Sequence, residues 1–570
     1  MMRQLMILVA LCMTALAHGQ EPLQAPQPEA TGGFFDQLDL SPFDGTAVWQ
    51  EGRFKSFESA ANSTLNYVSG PRSPGRLPHR VALLDLVLRP AAWTDVDLHF
   101  VKKKPMRGHI VQALRGASNR PAIATDERLQ RFMETGLAPR AFLEHPAVAT
   151  MLSDLQQDVL RYATPVEQIQ TSLIVAKGDV LRRELAMVPP IGEGASERPW
   201  RSLDAELEAN PDSDVSKAWK SLQAGWRSGD AQMVNAAIAK LAPALRAVNG
   251  DIYPSEGRMK SESLYFRLGG LTRGWIIYLA AIIALLMWIV YGWRGALWTG
   301  YGLFLIAFAL QTFAVFLRMY VAGRWPNTNM FEAVTTSTWF GGVFVVLIEP
   351  WLTRTRLAGL FVLGAAGCSM IALMAAHLDP VNLNLNISNR MPVLHDVWLY
   401  IHTNVIIFSY VLIFLASVTG LLYLVRRGAQ RIKGQDIDLS REWARAGGAG
   451  FLIVPRVKGE TALRAQSTTF GQVLDGATMI LVELAAILLW AGLAMGAIWA
   501  DHSWGRPWGW DPKEVFALES FFIFAILIHI RLTAKDKGWW TALLALVGCA
   551  AMIFNWIIIN FTISGLHSYA

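Results

Sequence analysis

The chain has 570 residues, of which 53% are hydrophobic, and its formal net charge is +6. This length allows more than one domain, and no Lys/Arg-rich block with interleaved aromatic residues indicates a nucleic-acid partner. The three cysteines form no CxxC pair, which excludes a thiol-disulfide exchanger of that type.

The chain begins with a pattern that is typical of an export signal. Arg3 precedes a short apolar run, and the small residues Ala15 and Ala17 follow it. We therefore predict a signal peptide over residues 1–17 and a flexible, Pro/Gln-rich leader over residues 18–31.

Residues 32–273 are predicted to form an exported soluble domain that is mostly helical. Short strands are expected within Val81–Val101. Apolar residues at three- and four-residue spacing predict helices in three segments: Pro146–Tyr162, Pro165–Met187 and Asp214–Val248. Four scattered histidines are expected at the surface: His79, His99, His109 and His145. No metal-ligand spacing indicates what this domain does.

From Gly274 onward, long uncharged runs predict eight membrane helices, most of them near the roughly 20 residues that cross a bilayer core. They are Gly274–Trp293, Ala296–Leu317, Phe331–Ile348, Leu357–Ala376, Val397–Val425, Gly476–Ala500, Val515–Ile530 and Gly538–Ile563. The predicted fold is an all-α polytopic membrane domain over 274–570, preceded by the signal peptide and the helical soluble domain.

The distribution of basic residues predicts the orientation of these helices. If the soluble domain is exported, the first span starts outside. The inner side then carries fifteen basic residues: Arg294, Arg354, Arg356, Arg426, Arg427, Arg431, Lys433, Arg441, Arg445, Arg456, Lys458, Arg464, Arg531, Lys535 and Lys537. The outer connections between the spans carry five: Arg318, Arg324, Arg390, Arg506 and Lys513. This excess agrees with the positive-inside rule and predicts that the C-terminus lies outside.

The connection between the sixth and seventh spans, predicted as a loop over 499–514, is rich in tryptophan. Trp499, Trp504, Trp508 and Trp510 fall within it on the predicted outer face. An aromatic belt at the membrane interface would explain the tryptophans. It would not require the intervening Gly and Pro residues, so we interpret the loop as a flat apolar surface for a large planar ligand.

If the planar ligand is haem, two histidines are placed to bind its iron from the axial positions. His402 lies near the outer end of the fifth span and His567 lies just beyond the eighth. Each alone is more often an ordinary hydrogen-bonded residue, but their convergence on the tryptophan loop favours haem. His529 lies inside the seventh span, where an ionisable side chain is costly and is a functional candidate.

Other ionisable residues receive supporting roles. His377, His395 and His502 are expected outside the membrane as loop residues or neighbours of the site. Glu483 and Glu519 are intramembrane acids that we assign to hydrogen bonds between helices.

The segment from Trp504 to Glu514, WGRPWGWDPKE, resembles the tryptophan-rich WWD signature of haem-handling proteins, in the form found in the CcsA/ResC type of system II cytochrome c biogenesis. The likeness covers about Arg267 to Ala570. Four further segments carry it: Gly323–Glu332, Trp398–His402, Leu527–Arg531 and Gly565–Tyr569. The exported half resembles more loosely an extension present on some members, around Glu51–Phe57.

The resemblance implies a protein of the bacterial cytoplasmic membrane that delivers haem b to the outer face. There the haem would be presented for thioether attachment to the CxxCH motif of apocytochrome c, and the chain would be the haem-presenting subunit of a haem lyase. His402 and His567 would be the axial ligands, filling both positions on the iron. Trp504, Trp508, Trp510 and Asp511 would hold the ring.

In the same family, an intramembrane haem site uses two histidines, of which His529 would be one. The other would come from a ResB/CcsB-like membrane subunit, and a thiol-reducing partner is also expected. Two other functions stay open: an electron-transfer protein of cytochrome b character, and a haem transporter or scaffold without a catalytic part.

Overall fold

A computed structural model describes residues 33–70, 77–158, 161–326, 328–353, 358–380, 383–387, 396–434 and 469–559. The chain divides into two compact units, Met1–Arg267 and Leu268–Ala570. The predicted signal peptide and leader lie outside the described residues.

The first unit is mainly helical. Its α-helices are α1 (Phe57–Ser69), α2 (His79–Leu88), α3 (Lys104–Gly116), α4 (Asp126–Thr135), α5 (Arg140–Leu143), α6 (Pro146–Gln156), α7 (Ala163–Val175), α8 (Gly178–Glu184), α9 (Leu203–Ala209), α10 (Asp214–Ser228), α11 (Ala231–Val248) and α12 (Glu256–Arg267). The strands are β1 (Ala47–Gln50), β2 (Arg53–Ser56), β3 (His99–Phe100), β4 (Leu137–Ala138), β5 (Ala186–Val188) and β6 (Arg201–Ser202). An antiparallel sheet has the order β2-β1-β5-β6, and β3 pairs with β4.

The expectation of short strands within Val81–Val101 holds only for β3, because the stretch begins in helix α2 and continues through a 3-10 turn over Pro90–Trp93. Seven consecutive residues of α2, Val81–Val87, are buried, so it lacks the polar face that marks an amphipathic helix in sequence. Its one acid, Asp85, is fully buried and accepts indole N–H bonds from Trp93 at 2.9 Å and Trp226 at 2.8 Å.

Two of the predicted helices are interrupted. The segment Asp214–Val248 forms α10 and α11, which separate where Gly229 adopts φ 71° and Asp230 caps the second helix. The segment Pro165–Met187 continues from α7 into α8 and then into strand β5.

The expectation that the four histidines lie at the surface is wrong for His99 and His145, which are 2% and 7% exposed, and for His79, whose Nε2 atom is buried. His99 Nδ1 lies 2.8 Å from Ser172 Oγ. His145 caps α6 by accepting a hydrogen bond from Ala147 N. Such partners come from tertiary structure, so the spacing of residues in the sequence does not indicate them.

The second unit contains all eight predicted spans, counted within the described ranges. They are α13 (Trp275–Tyr291), α14 (Arg294–Ala322), α15 (Met330–Leu352), α16 (Leu360–Leu378), α17 (Val397–Ile432), α18 (Phe470–Trp504), α19 (Pro512–Thr533) and α20 (Lys537–Phe554). The predicted all-α polytopic membrane domain is thus confirmed.

Helices α17 and α18 form the centre of this unit and are longer than predicted, with 36 and 35 residues. At 1.5 Å per residue each is about 50 Å long, more than a bilayer core of about 30 Å requires. They pack against each other along much of their length and contribute many buried residues to the core. The C-terminal half of α18 therefore reaches the end of the unit where α17 begins.

Candidate functional site

A small cavity of about 70 Å³ lies at that end of the membrane unit. It is bounded by the first turns of α17, the C-terminal half of α18, the short loop after α18 and the first turns of α19. Its lining includes His402, Tyr410, Gly496, Trp508, Lys513 and Glu514. The structure thus brings His402 and the tryptophan-rich segment together, as the sequence predicts.

The imidazole of His402 is oriented by a backbone group of the neighbouring helix. His402 Nδ1 lies 2.7 Å from the carbonyl oxygen of Gly492. A carbonyl oxygen only accepts, so Nδ1 carries the proton and the neutral ring keeps its lone pair on Nε2. Imidazoles that ligate metals are commonly held in this way, with the other ring nitrogen donating to a carbonyl oxygen.

Two glycines of α18 make this contact possible. A Cβ atom at Gly496 would lie 2.7 Å from His402 Cε1, and one at Gly492 would lie 2.4 Å from Ile406 Cδ1. The two positions are one helical turn apart, so they form a shallow channel along α18 that receives side chains of α17. The position of the His402 ring therefore depends on the absence of a side chain at Gly496.

The connection predicted as a loop over 499–514 is mostly helix. Helix α18 continues to Trp504 and ends at Gly505, which has φ 68°. Helix α19 begins at Pro512 with Asp511 as its N-cap, and Glu514 completes a capping box. The loop proper is therefore only residues 505–511. Asp-Pro-Lys-Glu is a helix-start signature, and this signal could have shortened the predicted loop.

The tryptophans do not form the flat surface that we predicted. Trp499 and Trp504 are tilted by 66° at a centroid distance of 4.8 Å, and Trp508 and Trp510 by 87° at 6.0 Å. Edge-to-face contact is a favoured arrangement of aromatic rings, and it keeps the indole planes apart. Of the four, Trp508 lines the cavity, Trp499 is buried and Trp510 is 74% exposed.

Asp511 and its neighbours shape the loop. The Asp511 side chain is 5% exposed and accepts a bond from Lys513 N at 3.3 Å. Glu514 Oε2 accepts bonds from the backbone N–H groups of Gly509 and Asp511 at 2.9 and 3.2 Å. These bonds fix the backbone on both sides of Trp510, whose own φ of 55° is unusual for a residue with a side chain.

His529 lies near the opposite end of the unit. Its Nδ1 is 2.7 Å from the carbonyl oxygen of Ala525 on the same helix, so its lone pair also lies on Nε2. The ring is exposed on the outer face of α19. Nearby, Arg531 pairs with Asp475, which lies 21 residues before Gly496, about 30 Å along α18. His402 and His529 therefore belong to separate sites.

The remaining histidine predictions divide into two groups. His567 and His395 lie outside the described residues. His502 is exposed, with Nδ1 3.4 Å from Asp396 Oδ2, and His377 Nδ1 lies 3.4 Å from Thr272 Oγ1. Neither His502 nor His377 lines the cavity.

A buried ionic network that the sequence analysis missed lies at the same end of the unit. Glu332 is fully buried and accepts bonds from Arg318 Nε and Arg324 Nη1, each at 2.9 Å. Trp325 Nε1, beside Arg324, lies 3.2 Å from Asn404 Oδ1, two residues after His402. The network thus joins the segment between α14 and α15 to the helix that carries His402.

The assignment of Glu483 and Glu519 to hydrogen bonds between helices is wrong. Both side chains are exposed on the outside of the helical unit. Within the part of the chain that the structure describes, neither carboxylate has a hydrogen bond or an ion pair.

Comparison with known proteins identifies the class of this membrane unit. Residues 327–567 match the family model described as cytochrome C assembly protein. The cytochrome c biogenesis protein CcsA of Parasynechococcus marenigrum is 30% identical over 314 residues, which cover 54% of this chain and 98% of that protein. CcsA of Porphyra purpurea is 29% identical over 44% of this chain and 81% of its own length.

A longer relative, protein NrfI of Wolinella succinogenes, is 28% identical over 56% of this chain but only 32% of its own length. The alignment with CcsA of Parasynechococcus marenigrum covers nearly the whole of that protein. The chain belongs to the CcsA-type family of cytochrome c assembly proteins.

Proposed function

We propose that this protein acts in cytochrome c biogenesis by bringing haem b to the outer face of the membrane and presenting it to apocytochrome c. Thiols of the CxxCH motif would then add to the haem vinyl groups, and the chain would serve as the haem-presenting subunit of a haem lyase. The observation that carries the proposal is His402, whose Nε2 lone pair is set by the bond to the Gly492 carbonyl oxygen.

The residues around the cavity fit haem as a substrate. His402 would be one axial ligand and His567 the other, and two imidazoles leave no open position on the iron for oxygen. Trp508 offers an apolar face and Lys513 an ammonium group suited to a propionate. A cavity of about 70 Å³ holds only a small part of a macrocycle, so most of the ring would extend over the loop. Trp504, Trp510 and Asp511 would support that loop.

His529 would hold haem inside the membrane, on its way from the cytoplasmic side. One histidine leaves one axial position of the iron unfilled, so a second ligand is needed for a closed site. We propose that a ResB/CcsB-like membrane subunit supplies it and helps to receive apocytochrome c. A thiol-reducing partner would keep both CxxCH cysteines reduced, since a disulfide cannot add to a vinyl group.

The distribution of basic residues supports a location in the bacterial cytoplasmic membrane with the cavity outside. In this orientation the His402 site, the loop 505–511 and the segment after α20 share one side. Apocytochrome c would meet haem there, after its own export.

The test is haem binding and maturation by purified, full-length protein. We expect a low-spin, bis-histidine spectrum. His402→Ala alone should remove most of the external haem, and the double variant His402→Ala/His567→Ala should abolish maturation. Added imidazole should restore part of the spectrum by refilling the axial positions. His502→Ala is the matched control and should retain its haem, because His502 does not line the cavity.

Haem retained unchanged in the double variant would overturn the assignment of the two ligands. The transfer assay separates presentation from electron transfer: haem that stays bound while apocytochrome c accumulates would favour a protein of cytochrome b character.

A further inference from the structure

Two carboxylates lie on the outer surface of the membrane unit, within helices that are long and apolar enough to cross a bilayer. Glu519 is seven residues after Pro512 on α19, about 10 Å along the helix, and Glu483 is 13 residues after Phe470 on α18, about 20 Å along it. A carboxyl group that faces acyl chains lacks hydrogen bonds and is strongly disfavoured. Exposure of two such groups therefore requires an explanation.

The carboxylates are set among exposed apolar side chains that form a stripe on each helix. On α18 the neighbours of Glu483 are Ile487 and Trp490, and on α19 the neighbours of Glu519 are Phe522 and Ile526. The stripes adjoin where the rings of Trp490 and Phe521 lie 5.2 Å apart. We call this surface the Glu483–Glu519 face and define it by six residues: Glu483, Ile487, Trp490, Glu519, Phe522 and Ile526.

His529 lies on the same side of α19 as this face. The spacing of Glu519, Phe522, Ile526 and His529 places their side chains on one side of the helix, and all four are exposed. The Arg531–Asp475 pair and the Trp490–Phe521 contact align α18 with α19. By this alignment Glu483 is within about one helical turn of the level of His529.

Three other acids of the membrane helices have hydrogen-bond partners inside the fold. Glu332 is bound by Arg318 and Arg324, Glu349 by Tyr301 and by Gly359 N, and Asp475 by Arg531. The protein thus provides a cation or a donor for buried acids of its helices. In the described ranges it provides neither for Glu483 or Glu519.

We propose that the Glu483–Glu519 face docks a transmembrane helix of the partner subunit, and that this helix carries cationic or N–H/O–H donor side chains at the depths of the two carboxylates. The inference rests on the proposed function for the existence of that partner. Charge complementarity selects such a helix, because it gives each carboxylate a hydrogen bond that acyl chains cannot provide. Lipid headgroups would not provide these hydrogen bonds, because they remain at the surface of an apolar core about 30 Å thick.

Docking at this face would also bring the partner to His529. Glu483 and His529 lie within about one helical turn of the same level. A partner helix that pairs with Glu483 would therefore also run beside His529, and a histidine on it could approach the same haem iron. The two carboxylates would then determine the depth and the register at which the partner binds.

The test is co-purification of the full-length chain with a co-expressed ResB-type subunit from the same organism. Glu483→Leu/Glu519→Leu should lower the recovered partner about tenfold or more, and tenfold corresponds to about 1.4 kcal/mol. Glu483→Gln/Glu519→Gln should lower it less, because an amide still accepts a hydrogen bond. Asp501→Leu is the control, since Asp501 is exposed on α18 away from the face, and it should leave recovery unchanged. A retained low-spin spectrum of the outer haem would show that each variant is folded.

A second measurement needs no disruptive substitution. A photocrosslinking amino acid at Ile487 or Ile526 should link to the partner, whereas one at Ile306 or Leu347, exposed on α14 and α15, should not. Unchanged recovery with the leucine variants, or crosslinks from this face to a second copy of the chain, would overturn the docking proposal alone. Full maturation by the wild-type chain without any partner would contradict the proposal that a partner subunit is required.

Discussion

In both His402 and His529 a hydrogen bond from Nδ1 orients the imidazole ring, but the acceptor lies on the same helix in one case and on another helix in the other. Each donates Nδ1–H to a backbone carbonyl oxygen at 2.7 Å. The acceptor of His529 is Ala525, four residues earlier on its own helix, so its orientation does not depend on other helices. The acceptor of His402 is Gly492 on α18, so any shift between α17 and α18 would turn the ring.

We predict that Gly496→Ala will weaken haem binding at the proposed His402 site. The new Cβ would lie 2.7 Å from the imidazole, closer than van der Waals contact allows, and the ring must move. Alanine is about 1 kcal/mol better than glycine within a helix, so helix propensity cannot explain a loss. The haem content and low-spin spectrum of purified protein measure the effect.

Gly302→Ala is the matched control for this substitution, because nothing lies within 4 Å of a Cβ at that position on α14. It should leave the spectrum unchanged. A Gly496→Ala protein with full haem content would show that the ring position is not critical.

The buried His99 predicts that the first unit is less stable in acid. Burial lowers the pKa of His99 to about 4, against 6.5 for the exposed side chain. Between these values the unfolded chain binds the proton and the folded chain does not, so unfolding is favoured as the pH falls from about 6.5 to 4. One histidine contributes up to about 3 kcal/mol, at 1.36 kcal/mol per pH unit.

Urea unfolding of residues 33–267 at pH 7, 5.5 and 4 would measure this loss of stability. His99→Gln should flatten the dependence on pH, since glutamine does not titrate and can still bond to Ser172. His79, whose pKa burial also lowers to about 4, would account for part of the remaining slope. An unchanged slope in the His99→Gln protein would contradict the assignment.

At the scale of elements, hydropathy predicted all eight membrane helices because a bilayer imposes both their length and their apolarity. It could not predict their ends. Helix α18 extends to Trp504 because Gly505 adopts φ 68°, and Asp511 caps the next helix. These ends are set by hydrogen bonds of a few residues, whereas composition alone predicts a loop for a stretch rich in Gly, Pro and Trp.

The candidate site was predictable in part. His402 and Trp508 were found because their residue types and the loop suited a planar ligand. Gly492 and Gly496 were missed because a close approach between helices is visible only after packing. The Arg318–Glu332–Arg324 network was missed for the same reason, since its residues come from separate elements.

We predict that Glu332→Ala will destabilise the end of the membrane unit that holds the cavity. The substitution leaves Arg318 and Arg324 buried without their common carboxylate, and breaking a buried pair costs roughly 3–5 kcal/mol. Arg318 also donates to the carbonyl oxygens of Leu385 and Asn386, so a further segment would loosen. Thermal unfolding in detergent should show a lower Tm together with a lower haem content.

Asp501→Ala is the control for this prediction. Asp501 is exposed near the same end, and substitutions at such positions usually change stability by no more than about 0.5 kcal/mol. Equal Tm values for the Glu332 and Asp501 variants would show that the network does not stabilise the unit.

At the scale of the whole molecule, the two compact units differ in what surrounds their helices. The first buries its apolar residues in two clusters of its own, as a soluble protein does. The second has a buried core but also exposes many large apolar side chains, among them Trp298, Leu347, Trp351 and Ile487. Such an outer surface suits lipid, because acyl chains are as apolar as these side chains.

The orientation of the membrane unit is the last prediction. Basic residues number fifteen in the predicted inner connections of the spans and five in the predicted outer connections. The structure is consistent with this asymmetry, because Arg318 and Arg324, on the predicted outer side, are bound by Glu332 within the fold. Because both guanidinium groups are paired within the fold, fewer free positive charges on the predicted outer side oppose an orientation with the basic segments inside. A periplasmic reporter fused after Ala570 or within Ser503–Gly509 should be active, and one within Gly434–Gly450 should be inactive. Activity of the Gly434–Gly450 fusion would reverse the orientation and put the His402 cavity on the cytoplasmic side, where it could not present haem to exported apocytochrome c.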